Sequence, residues 1–342
     1  MNVVSLFSGC GGLDLGLERA GFRVRLALDS DAHCAASYRA NFPEAKFVHA
    51  PIGELPESDL REGADLLVGG PPCPPFSKSR FYRTSKPRAL ADAVGHETLH
   101  GYLDTLKRLR PRAFLLENVA GMAYAVHREA LHLLLETAET LGYTTAWRVL
   151  NAAQYGVPQI RERFLLVGMR GKQAFRFPEP THAKPEGPGL FADELPPWRT
   201  TGEVLDDLDT EENANDAGHF AGGKYHHVLR AIPPGENYLH FTAERGHPSP
   251  MFRWRSRYWS FLLKLSRDLP SWTIQARRSN NMGPFHWRNR ILRIAEIKRL
   301  QTFPDDWHLA GTVEKQWRQI GNAVPPRLAE VLGQALREQL GG

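Results

Sequence analysis

The chain has 342 residues, 42% of them apolar and 24% charged, and 43 Lys and Arg against 38 Asp and Glu give a net charge of +5. That is the usage of ordinary folded proteins, which excludes a disordered or fibrous chain, and at about 150 residues per domain it predicts about two domains. No uncharged apolar run approaches the roughly 18 residues of a bilayer span, and the start lacks a basic leader, so a cytoplasmic protein with no membrane partner is expected.

Val3 to Phe7 reads as a short buried strand stopped by Ser8, Gly9, Cys10, Gly11 and Gly12, after which Leu13, Leu17 and Ala20 recur at helical spacing up to Gly21. Glycines between a strand and a helix let a ligand approach the backbone, and a helix N-terminus favours a carboxylate or phosphate. Val24, Leu26 and Leu28 alternate into a second strand ending at Asp29, seventeen residues after Gly12, where an acid can bind ribose hydroxyls. The pair points to an adenosine-containing cofactor, the alternative being a Gly-rich turn with no ligand. NAD is disfavoured because Asp14 stands where the third glycine of GxGxxG would be.

Asp65 to Val68 reads as another strand and leads into Gly69-Gly-Pro-Pro-Cys73-Pro-Pro-Phe-Ser77, which puts a thiol at the carboxyl edge of the sheet, where doubly wound folds bind ligands. Cys73 is there either as a nucleophile or as a buried thiol in a proline-rich turn. The three cysteines, Cys10, Cys34 and Cys73, are an odd number at wide spacing with no CxxC, so neither disulfides nor a metal site is expected. Ala113 to Leu116 predicts a further strand, followed by Glu117 and Asn118; Glu117 projects at the same edge as a functional carboxylate, or the pair caps a helix with Asn118 as N-cap. Leu131, Leu134, Leu135, Ala138 and Leu141 form one helical stripe ended by Gly142. Gln159-Ile-Arg161-Glu-Arg163 opens a strand running to Val167, with both arginines on one face or else in a surface ion pair with Glu162. Strands alternating with helices predict an α/β, doubly wound domain.

From about Phe175 the texture changes to Pro, Gly and acidic residues, which predicts a linker and a second domain of irregular or β-rich character. Asp193 to Asp216 holds nine acidic residues against one basic. Arg245 to Arg299 holds thirteen basic residues against two acidic, together with eight aromatics. The basic stretch is the footprint of a polyanion-binding face or, alternatively, a solvated basic surface over core aromatics. Ile294 to Leu300 returns to helix before a turn at Pro304, and Pro326 begins an amphipathic helix expected to pack back onto the first domain.

FSGCGG near the start, GGPPCPPFS, ENV, QYGVPQIRERFLLVG, EIKRLQTFPDDW and QIGNAVPP, in that order, resemble the bacterial DNA (cytosine-5) methyltransferase family. The resemblance covers Val3 to Val167 and Ile291 to Leu336, and the segment between falls where the family carries its target recognition domain. It implies a Rossmann-like S-adenosylmethionine-dependent methyltransferase domain in residues 1–172, a recognition domain in 173–288, a hinge in 289–314 and a closing segment in 315–342.

It implies transfer of a methyl group from S-adenosylmethionine to C5 of a cytosine flipped out of duplex DNA, through a Cys73–C6 adduct. In that resemblance Glu117 hydrogen-bonds the cytosine N3 and amine, Arg163 contacts O2, and Arg161 orients the thiol or its neighbours. Phe7, Gly9, Gly11, Gly12, Asp29, Ile52, Asn322 and Val324 match cofactor positions, and Ser77, Arg277 and Arg278 are the expected DNA contacts. Two residues depart from the pattern: Pro74 follows Cys73 where the family has Gln, and Pro51 precedes Ile52 where it has an acid. A monomer serving a restriction-modification system beside a cognate endonuclease is expected. The rival readings are an RNA cytosine-5 methyltransferase and a catalytically inactive DNA-binding relative, the second of which would be expected to lack Cys73 or Glu117.

Overall fold

The computed structural model describes residues 1–72, 89–184, 195–209 and 221–341. The elements of the first half are β1 (Asn2–Leu6), α1 (Gly12–Arg19), β2 (Arg23–Asp29), α2 (Ala32–Asn41), β3 (Lys46–His49), β4 (Leu66–Gly69), α3 (Ala93–Leu109), β5 (Ala113–Val119), α4 (Arg128–Thr140), β6 (Tyr143–Asn151), β7 (Gln159–Ile160) and β8 (Glu162–Arg170). One seven-stranded sheet has the order β3-β2-β1-β4-β5-β8-β6. The first five strands pair in parallel, while β8 runs antiparallel to both of its neighbours.

The strand order reverses at β1, which pairs with β2 on one side and β4 on the other. In an open α/β sheet the crevice beyond the carboxyl ends at such a reversal is where ligands sit. The Gly-rich loop after β1 and the Gly-Pro loop after β4 both open there. Alternate residues of β1 face opposite layers: Val3 joins the core under α1, and Val4 and Leu6 join the core under α3 and α4.

After β8 the described chain has little regular structure: short helical turns, and β9 (Ser271–Trp272), which pairs in parallel with β7. The expected second region is thus irregular rather than β-rich. Proline and glycine supply too few consecutive backbone donors and side chains for a ladder. Its buried side chains, among them Leu205, Val228, Tyr238, Leu262 and Ile274, continue the α1-side core without a break.

The chain then forms α5 (Ile294–Leu300), α6 (Val313–Asn322) and α7 (Pro326–Gln339). As expected, α7 returns to the first half, where it lies against α1. A side-chain carbon on Gly16 would fall 2.4 Å from both the Pro326 carbonyl oxygen and Ala329 Cβ, so only glycine permits this approach. No described helix is long and apolar enough to cross a membrane.

Candidate active site

Phe7 takes φ +56° and Gly9 φ +57°, so the backbone after β1 turns through the left-handed region before α1 begins. The turn is pinned by Asp29, whose carboxylate accepts from the Gly9 amide at 2.9 Å and from the Asp31 amide at 2.8 Å. Burial raises the pKa of Asp29 above the usual carboxylate range, against those two bonds. Asp14 faces away from the loop. It is fully buried and accepts from the Ser5 and Tyr38 hydroxyls, each at 2.7 Å.

The C-terminal segment closes over this turn. A Cβ on Gly12 would lie 2.4 Å from the Val324 carbonyl oxygen, so the chain after α6 rests directly on the glycine. A cavity of about 320 Å³ results, within the range of small-molecule sites. Phe7, Gly9, Gly12, Asp29, Asn322 and Val324 line it, which brings together six of the eight positions expected at the cofactor. Gly11 is the N-cap of α1 and faces Phe42, and Ile52 is buried against Gly101 on α3; neither is among the lining residues.

The same cavity reaches Gly70, Pro72 and Glu117. Glu117 lies within β5, which runs on to Val119, and Asn118 does not cap a helix: its side-chain amide donates to the Pro71 carbonyl at 3.1 Å and so ties the Gly-Pro loop to β5. Arg163 Nε stands 2.7 Å from Glu117 Oε1, both side chains being nearly fully buried, but no well-aligned hydrogen bond reaches that oxygen. The ion pair therefore holds Glu117 Oε1 in place without a linear N–H···O bond. Burial raises the Glu117 pKa, while Arg163 and Arg161 pull it down. Cys73, Pro74 and Ser77 lie outside the described residues.

Arg161 falls between β7 and β8 and is fully buried. It donates to the carbonyls of Ile274 at 3.1 Å, Gly321 at 2.8 Å and Ala323 at 3.0 Å. Those partners belong to the irregular region and the C-terminal segment; the thiol it is expected to orient, Cys73, lies outside the described residues. Of the expected DNA contacts, Arg277 is exposed, whereas Arg278 is paired with Glu314 at 3.2 Å.

Several lining residues carry no sequence motif of their own: His33 and Cys34 on α2, and Lys315 and Arg318 on α6. Their signal was helical spacing alone, and α6 went unassigned. The thiols of Cys10 and Cys34, which both line the cavity, are held protonated. Burial pushes Cys10 up to about 12 and Cys34 higher still, with the nearby Asp29 charge adding to both. An electrophile in this cavity therefore meets thiols rather than thiolates.

The family of C-5 cytosine-specific DNA methylases matches residues 1–338. The chain is 39% identical to the type II methyltransferase M.SacI of Streptomyces achromogenes, over 99% of this chain and 93% of that one. It is 29% identical to the type II methyltransferase M1.HphI of Haemophilus parahaemolyticus, over 98% and 86%. Among solved structures, DNMT2 of Spodoptera frugiperda superposes with a TM-score of 0.65 at 16% identity, covering 98% of this chain and 99% of that one, a likeness of fold.

Proposed function

The chain belongs to the C-5 cytosine-specific DNA methylase family, and from that premise we propose that Cys73, Glu117 and Arg163 carry the reaction while the cavity over the Gly-rich loop holds the cofactor. The reaction is methylation of cytosine C5 in DNA with S-adenosylmethionine as cofactor. The observation that carries the assignment of residues is the buried Glu117–Arg163 ion pair, whose Glu117 lines the same cavity as Asp29 and Asn322.

The cavity suits the cofactor. Asp29 keeps lone pairs for ribose hydroxyls after accepting its two amides. A Cβ placed on Gly9 would meet nothing within 4 Å, so the turn borders open space of the kind a ligand fills. When bound, S-adenosylmethionine supplies a methyl group on a positively charged sulfur, the electrophile of the reaction.

The remaining steps fall to the chain's own residues. Cytosine C5 is a weak nucleophile, so Cys73 adds as thiolate to C6, forming the S–C6 bond and pushing the ring electrons towards C5. A free thiol with a pKa of about 8.5 needs only modest help to ionise. Glu117, its pKa raised by burial, hydrogen-bonds N3 and the exocyclic amine and supports the protonated ring as charge develops. Arg163 holds O2 and fixes the Glu117 carboxylate. After C5 is alkylated, loss of its proton returns electrons to the ring and expels the Cys73 thiolate. The base must leave the duplex to reach a cavity this deep.

Residues 173–288 serve as the recognition domain, 289–314 as the hinge, and 315–342 complete the catalytic domain. The relatives' type II names support a modification enzyme paired with a restriction endonuclease in the cytoplasm. One copy suffices, because each strand of a duplex is methylated in a separate event.

Duplexes containing 5-fluorocytosine test the chemistry, because fluorine cannot leave C5 as a proton does and the adduct persists. The expected result is a covalent complex with the wild-type chain and none with Cys73→Ala, which should still fold and bind DNA. Methyl transfer by Cys73→Ala would overturn the assignment.

A further inference from the structure

The thirteen basic residues between Arg245 and Arg299 do not form one face. Lys264 and Lys298 are buried and donate to backbone carbonyls, Ile232 for the first and Asp305 and Trp307 for the second. Arg267 and Arg288 both hold the buried Asp209 carboxylate, Arg290 holds Glu296, and Arg299 holds Asp207 and Asp305. Asp207 and Asp209 of the acidic stretch thus engage three of these cations, Arg267, Arg288 and Arg299. Arg253, Arg255 and Arg257 are different: all three are exposed, and none has a carboxylate partner among the described residues.

The same loop exposes large apolar side chains. Met251 is 51% exposed, Trp254 37%, Tyr258 55% and Trp259 48%. A soluble chain seldom leaves such a run uncovered without a use for it. Nor is the backbone slack. The Tyr238 hydroxyl donates to the Arg257 carbonyl at 2.9 Å and accepts from the Arg257 amide at 3.2 Å, and Asn237 donates to the Trp259 carbonyl at 2.8 Å. Arg255 lies 5.8 Å over the Trp254 ring and Arg257 5.9 Å over Phe261, near the outer limit of such contacts, so both guanidiniums sit beside aromatic faces with their N–H donors unused by these contacts. Arg245 and residues 254–259 border one open cleft with no acidic residue on its lining.

A ring contact and a shared cleft connect the loop to β5 and β8, the strands that carry Glu117 and Arg163. Trp259 meets Trp272 edge-on at 5.5 Å, and Trp272 lines a second cleft with Val119, Tyr124, Ile160 and Glu162, of which Glu162 adjoins Arg163 in the chain and Val119 lies two residues from Glu117. A duplex whose target base enters the cavity would pass along this line.

We propose that the loop from Arg253 to Trp259 sets the sequence specificity of the enzyme, with Arg255 and Arg257 each reading a guanine in the major groove near the target cytosine. A planar guanidinium with no carboxylate partner among the described residues matches the O6 and N7 acceptors of guanine bidentately, and no other base edge in the major groove offers that pair of acceptors. A cation serving only phosphate needs neither the fixed loop nor the aromatic neighbours. The assignment rests on the DNA-methylating reading above.

The test is methylation of a duplex library with randomised positions around a central cytosine, read by conversion of unmethylated cytosine and sequencing. The wild-type chain is expected to require a guanine at two or more positions. Arg255→Ala and Arg257→Ala should each relax one of those positions by about 10- to 100-fold, leaving the others intact. Arg255→Lys and Arg257→Lys, which can still pair a phosphate, should relax the same position. Arg257→Gln should shift its position from guanine towards adenine. An unchanged motif in both alanine variants would overturn the proposal. So would a uniform loss across all sequences that lysine restores, since that is the signature of a phosphate contact. No methylation of any library member by the wild-type chain would instead strike the reaction itself, and this inference with it.

Discussion

Asp14 occupies the place where a dinucleotide-binding loop would carry a glycine, and its carboxylate is spent on the fold. With no exposure and only two hydroxyl donors, it is poorly compensated for the loss of water, and burial pushes its pKa up to about 6. Unfolded, it would titrate near the ordinary value of about 3.9. The folded chain therefore holds the Asp14 proton more tightly. Its contribution to stability is full below about pH 4 and is lost as pH rises through about 6. At about 1.36 kcal/mol per pKa unit the loss is on the order of 3 kcal/mol. Asp29 and Glu18 shift in the same direction, while Asp209 and Glu296 shift the opposite way, so the wild-type profile alone is a mixture. The difference between wild type and Asp14→Asn isolates the group, since Asn cannot ionise and the Tyr38 or Ser5 hydroxyl can turn to accept from its amide. Denaturant unfolding across pH 4 to 7 should show Asp14→Asn gaining on wild type by about 3 kcal/mol, and a constant difference would place the Asp14 charge outside the stability balance.

At the scale of elements, the junction of α1 and α7 sets two glycine effects against each other. Gly16 sits inside a helix, where alanine is ordinarily better by about 1 kcal/mol. Here the added carbon would strike the Pro326 carbonyl and the Glu330 amide nitrogen, backbone atoms that cannot swing away as a side chain could. Overpacking of that kind costs about 1–3 kcal/mol or more, so the clash outweighs the propensity. Gly16→Ala should lower the urea midpoint at unchanged slope and weaken S-adenosylmethionine binding through the displaced Val324 segment. A stabilised variant would show that α7 can shift at little cost.

The elements legible in the sequence were those with a clear apolar period: β1, β2, β4, β5, β8, α1, α4, α5 and α7. Those missed had weaker or overlooked signals. β6 is a sheet edge with Trp147 and Val149 exposed, so its pattern does not alternate cleanly. α2 buries only Ala35, Ser37 and Tyr38, too small a stripe to register. α3 carries Leu99, Tyr102, Leu103 and Leu106 at helical spacing, a signal that was present and not taken up. At the site, Phe7, Gly9, Gly12, Asp29, Glu117, Asn322 and Val324 line one cavity, whereas Gly11, Ile52, Arg161 and Arg163 are not among its lining residues. Beyond Gln319 and Asn322, which the QIGNAVPP motif marks, the lining from α2 and from Lys315 and Arg318 was not legible, because neither helix has a local signal for a ligand.

For the molecule as a whole, Arg161 is where the separate stretches of chain are joined. Its guanidinium binds Ile274 from the irregular region and Gly321 and Ala323 on either side of the cavity-lining Asn322. Gln159 works in parallel, accepting from the Ile274 amide at 3.2 Å and donating to the Leu300 carbonyl at 3.2 Å. A planar fork divides its donors between two nitrogens at a fixed separation, Nη1 for Ile274 and Nη2 for Gly321 and Ala323, a spread that a single ammonium nitrogen does not reproduce. Arg161→Met would leave those three buried acceptors without their donor at about 1–3 kcal/mol each. The sum is comparable with the roughly 5–15 kcal/mol that hold a typical domain folded. Arg161→Met is therefore expected to unfold at much lower denaturant or to lose a sharp transition altogether. Arg161→Lys should retain part of the stability yet bind S-adenosylmethionine at least several-fold more weakly, because the carbonyls flanking Asn322 are no longer held together. Calorimetric titration of the cofactor alongside denaturant unfolding checks both quantities. A lysine variant with wild-type cofactor affinity would mean that the C-terminal segment keeps its place over the Gly-rich loop without Arg161, through α7 packing on α1 alone.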